Sequence, residues 1–112
     1  MPMTHSDITI PLSRLIMEGD DRASIRDDGL MLTHIAGLLD YVVKHNAAIL
    51  AADMPVNLVS MTLDVTGEPP ATGQIDFTST TDRKTRTLIF IGGHAVHAGG
   101  SIIKLTAVYR IG

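Results

Sequence analysis

Three observations predict an α+β fold for this chain of 112 residues. One long stretch repeats its apolar residues at helical spacing, several later stretches alternate with a period of two, and the turns between those are short enough that successive strands must run antiparallel. A single domain spanning residues 1–112 fits that length.

Residues 1–29 carry the least pattern, and within them 1–25 form an N-terminal segment of undefined structure. Glu18, Asp20, Asp21, Arg22, Arg26, Asp27 and Asp28 make a charged patch, and Pro11 and Gly19 interrupt it. Leu12–Met17 suits one or two helical turns, and Ala23–Arg26 suits a short strand. From Leu30 to Ala52 the signal is helical throughout. Leu32, Ile35, Leu39, Val42 and Val43 mark its apolar face, while Thr33, Gly37, Asp40, Lys44 and His45 gather opposite. Asp27 or Asp28 is placed to cap this helix, and Asp53-Met54-Pro55 ends it. Its last turns, Ala47 to Ala52, are apolar nearly all round, which calls for cover by a sheet or a second copy.

After Pro55 the period drops to two. Val59, Met61, Leu63 and Val65 alternate with Ser60, Thr62 and Asp64, a strand with one face on a core. Gly67-Glu68-Pro69-Pro70 is a turn. A second strand runs from Gly73 to Thr81 and leads to the charged tip Asp82-Arg83-Lys84. The third, Thr87 to His97, contains Gly92-Gly93, the mark of a bulge or of close backbone approach. Ala98-Gly99-Gly100-Ser101 turns the chain into a fourth strand, Ile102 to Ile111.

Composition excludes several functions. Nine basic against twelve acidic residues give a net charge of -3, the wrong balance for gripping nucleic acid. With no cysteine there is no thiolate nucleophile and no Cys-built metal site. His94 and His97 face opposite sides of a strand, and His34 and His45 are separated by roughly 16 Å of helical rise, so no metal is expected. Neither glycine pair is followed by the lysine and hydroxyl of a phosphate loop. The start, Met1 to Asp7, lacks a basic leader, and no apolar run is long enough for a membrane span, so a cytoplasmic protein without a membrane partner is expected.

The order of elements, together with Val56 through Thr66, Pro69-Pro70-Ala71-Thr72-Gly73, the strand at Ile75 and the closing Leu105 to Ile111, resembles the hotdog-fold thioesterase superfamily. The likeness is to small acyl-CoA thioesterases of the phenylacetate-pathway and 4-hydroxybenzoyl-CoA type. It implies a curved, mainly antiparallel sheet wrapped around one long central helix, no cofactor, and subunits paired as a homodimer or homotetramer. Those enzymes open the helix with His-Gly-Gly and carry an acid about nine residues later. The acid falls on Asp40, whereas Met31, Leu32 and Thr33 replace the opening and His34 comes three residues late.

Hydrolysis of a thioester needs a clamp for the carbonyl oxygen and an activated water or acidic nucleophile. Asp40, the one carboxylate inside the helix, is the candidate for the second role, with Thr33 on the same face and His34, turned to a different side, as further catalytic candidates. The helix amides near Leu32 and Thr33 are expected to polarise the carbonyl, with Met31 and Leu32 as substrate-binding candidates. Gly37 offers close passage to a ligand's pantetheine-like arm, and Arg83, Lys84 and Arg86 offer charge to the phosphates of CoA. Position separates the alternatives. An Asp40 that lines a cavity between subunits suits a hydrolase, or a hydratase or dehydratase. An Asp40 paired in solvent with Lys44 suits a non-catalytic binding or scaffold protein.

Overall fold

The computed structural model describes residues 9–112; the chain start read above, Met1 to Asp7, lies outside them. A 3-10 turn at Leu12–Arg14 leads into strands β1 (Ile16–Met17) and β2 (Arg22–Arg26), then helix α1 (Leu32–Leu50). Four long strands follow: β3 (Val56–Val65), β4 (Gln74–Lys84), β5 (Leu88–His97) and β6 (Gly100–Ile111). All six join one sheet in the order β1-β2-β4-β5-β6-β3, with every neighbouring pair antiparallel. This is the α+β arrangement that the sequence predicts.

One face of the sheet is apolar because its strands alternate. Ile75 and Phe77 of β4, Ile89 and Ile91 of β5, and Ile103, Leu105 and Tyr109 of β6 are buried against Ile35, Leu38, Leu39, Val42 and Val43 of α1. Each large side chain removed from water contributes about 1.5–3 kcal/mol, so this helix-on-sheet layer is the main stabilising contact. Asn46 is buried in the same layer, where its Nδ2–H donates to Ser79 Oγ at 2.9 Å. The pairing removes the cost of taking both groups out of water.

Gly93 stands in register between Ser79 and Leu105, so it is not a bulge; the strand irregularities fall at Leu58/Ser60, Thr81/Arg83 and Ala95/Val96. It is a point of close approach. A Cβ there would lie 2.6 Å from Val43 Cγ2 and 2.9 Å from Leu39 Cδ1. The helix start also differs from expectation. Asp27 pairs with Arg14, and its Oδ1 accepts the N–H of Asp28, leaving neither aspartate to cap α1. Gly29, at φ +71°, redirects the chain so that Leu30 is buried, and the N-cap is Met31. Its N–H donates to His34 Nδ1 at 2.9 Å.

β3 closes one side of the sheet and bonds β6 on one edge only. Leu58, Val59, Leu63 and Val65 along its ten residues are exposed, so the free edge carries large apolar side chains. Among the described residues, no helix is long and apolar enough to cross a membrane.

Candidate functional site

At about 100° per residue, Leu32, Val43, Ala36, Asp40 and Thr33 fall within about 100° of one another on α1. That flank faces β3 and β6. Its first turn borders an apolar cleft of about 200 Å³ lined by Leu32, Thr33, Ala36, Leu63, Val65 and Ile103. Asp40 follows about two turns along the flank, half-buried, and forms no ion pair with the exposed Lys44. Tyr109 of β6 is its neighbour beneath the helix. Burial, and then the negative charge of Asp40, push the Tyr109 phenol up to about 12.

The His34 N–H is engaged by the Met31 side chain; the amides of Leu32 and Thr33, in the same first turn, have no acceptor from the helix's own backbone. They point out of the helix end beside the cleft and are suited to a carbonyl oxygen gaining negative charge. Met31, the residue before the cleft-lining Leu32, is half-exposed. His34 is turned about 120° from Asp40 and lies about 9 Å away along the axis, so the two do not meet within one chain. Its Nδ1 is engaged with the Met31 N–H, which leaves Nε2 to carry the proton in the neutral ring. Gly37 lies under the side chain of Ile10.

The cations lie elsewhere. Arg83 and Lys84 pair with Phe90 and Ile89 at the β4–β5 tip, while the cleft is at the level of Ala95, the partner of Ile103. Six residues of β5 separate these levels, about 20 Å of strand. Arg83 is placed over the Phe90 ring, 5.7 Å from its centroid, and Arg83, Lys84 and Arg86 are all exposed. A second hollow, of about 130 Å³ and lined by Ser60, Thr62, Asp82, Phe90 and Thr106 among others, lies on the sheet's opposite face.

No family model matches this sequence, and no curated protein matches it. Solved structures do. A phenylacetic acid degradation-related protein from Ralstonia eutropha superposes with a TM-score of 0.74 at 13% identity, over 92% of this chain and 92% of that one. A Bacillus halodurans protein solved with CoA gives 0.75 at 12% identity, over 89% of this chain and 72% of that one. A thioesterase from Haemophilus influenzae gives 0.73 at 10% identity, over 87% and 76%. The chain has the hotdog fold.

In this hotdog chain the helix flank carries Thr33 and Asp40 along with Leu32, while His34 and the β4–β5 cations are directed elsewhere. Sequence reasoning did not single out Tyr109, Ile10 or the cleft walls Leu63, Val65 and Ile103 as site residues. Their sequence context assigns Leu63 to packing ahead of an acyl tunnel, and Val65 to a strand's apolar face. Their exposure is the added signal, since apolar residues of a core strand are otherwise covered.

Proposed function

We propose that this protein hydrolyses acyl thioesters of the CoA type, at a site built by two copies of the chain. The observation that carries the reading is Asp40, half-buried on the flank that leads to the apolar cleft and away from any pairing with Lys44. The hotdog neighbours, one a thioesterase and one solved with CoA, support the same chemistry.

Geometry argues for two copies. The Leu32 amide and Asp40 are eight residues apart, about 12 Å along one helix, too far to act on the same carbonyl. A two-fold axis at the free β3 edge brings a second α1 alongside, so that the amides of one copy serve the carboxylate of the other. Antiparallel pairing of the two β3 strands also sets the Val56 end of one beside the Val65 end of the other. Arg110 alternates with the buried Tyr109 and so lies on the sheet's outer face, as does Arg83 over Phe90, away from the cleft.

In the reaction, water attacks the thioester carbon while Asp40 takes its proton. The tetrahedral oxyanion accepts hydrogen bonds from the first-turn amides. Its collapse breaks the C–S bond, and the leaving thiolate takes the proton from Asp40, giving a free acid and a thiol. The test is thiol release from a panel of short-chain, aromatic and long-chain acyl-CoAs. Asp40→Asn lowers kcat by roughly 100-fold or more while fold and assembly persist. Absence of turnover across the panel, or equal turnover by the variant, rejects the proposal.

A further inference from the structure

Thr33, Gly37 and Asp40 form a stripe at i, i+4 and i+7 on α1. Its middle position has no side chain of its own. The space is occupied by Ile10, so closely that a Cβ on Gly37 would lie 2.7 Å from Ile10 Cδ1 and 3.1 Å from Ile10 Cγ1. Ile10 is half-buried and packed against the core, as are Leu15 and Met17 after it.

The segment that carries Ile10 is held at several points. The Leu12 N–H donates to the Ile10 carbonyl at 2.8 Å, Arg14 pairs with Asp27, and β1 is zipped to β2. An isoleucine fixed between Thr33 and Asp40 is thus a built wall, supplied by a segment outside the helix and the four long strands. Glycine inside a helix is unfavourable, and here its effect is to hand this part of the surface to a side chain from another segment.

We propose that Ile10 is a specificity-determining residue that limits how far an acyl group extends along α1 from the reacting carbonyl. The inference rests on the thioesterase reading above. A chain that leaves the carbonyl at Asp40 and follows the stripe meets Ile10 one turn away. Shortening this side chain opens room for added methylenes, whereas shortening a residue with a purely structural role slows all substrates alike.

The test compares kcat/KM for straight-chain acyl-CoAs differing by two carbons, in wild type, Ile10→Val and Ile10→Ala. The long-to-short ratio rises about fourfold in Ile10→Val and more than tenfold in Ile10→Ala. Circular dichroism establishes that each variant is folded, and the mild Ile10→Val decides the matter if Ile10→Ala does not fold. Wild-type turnover with an unchanged ratio overturns the role of Ile10 alone. A wild type that releases no thiol from any substrate overturns the thioesterase reading, and the role of Ile10 falls with it.

Discussion

Tyr109 reports where Asp40 lies without any need for activity. Its side chain is 1% exposed beneath α1, and burial first, Asp40 second, push its phenol from 10 up to about 12. The folded protein therefore keeps this proton at a pH where the unfolded chain has lost it. The stabilisation is complete below pH 10 and disappears as pH rises through about 12. At about 1.4 kcal/mol per pH decade it amounts to about 3 kcal/mol. The chain has two tyrosines, so Tyr41→Phe leaves Tyr109 as the only phenol, and its tyrosinate absorbance can be followed directly. Denaturant unfolding in that background loses about 2 kcal/mol between pH 10 and pH 12, the rest of the effect falling outside that window. Adding Asp40→Asn lowers the Tyr109 midpoint part of the way, because burial, the larger cause, remains. A phenol that titrates in the folded protein at 10, or a midpoint indifferent to Asp40→Asn, refutes the placement of Asp40 over β6.

Two further perturbations test packing and assembly. Gly93→Ala drives a methyl against Val43, Leu39 and the Thr78 carbonyl oxygen, which lies 3.1 Å from the added carbon. Since a backbone atom cannot swing aside, we expect a loss of about 2–3 kcal/mol and a fall of about 8–12 °C in Tm, read by thermal melting. Gly99→Ala, at φ +82° with nothing within 4 Å, loses only about 1 kcal/mol for its left-handed backbone and serves as the control. Leu58→Lys combined with Val59→Lys places charge on the free β3 edge. On the proposed pairing, sedimentation shows a monomer in place of the wild-type dimer that the proposal requires, and thiol release is lost with it. A dimer that survives both lysines contradicts pairing through β3.

The long elements were legible because each has one strong period and clear punctuation. Pro55 separates the helical repeat of Leu32 to Val43 from the alternation of Val59 to Val65; the helical residues meet the sheet's core face, whereas of the alternating four only Met61 packs on that core and Val59, Leu63 and Val65 stay exposed. β1 was not legible as a strand. It has two residues and exists only through pairing with β2, which no local periodicity announces. The cap was misread for a related reason: an aspartate before a helix is the better N-cap by propensity, yet Arg14 engages Asp27 and the buried Leu30 moves the start past both aspartates. Gly93 carried two readings until Leu39 and Val43 were seen above it. In the site, Asp40 stood out as the helix's one carboxylate. Tyr109 and Ile10 lie far from the helix in sequence, and only tertiary packing brings the first to Asp40 and the second over Gly37.

The central claim, that one copy supplies the carboxylate and the other the amides, is tested most directly by mixing two impaired variants. Asp40→Asn removes the carboxylate. Leu32→Pro removes one amide at the first helical position, where proline is accommodated and the preceding Met31, at φ -83° and ψ 164°, already has the backbone that a residue before proline adopts. Leu32→Ala, which keeps the amide, shows how much of the loss belongs to the side chain alone. After unfolding and refolding together in equal amounts, half of the dimers are mixed, and each mixed dimer holds one site with wild-type Asp40 facing a wild-type Leu32 amide. The account predicts recovery of about a quarter of wild-type thiol release from two nearly inactive parents. Activity that stays at the average of the parents, with mixed dimers present, contradicts it.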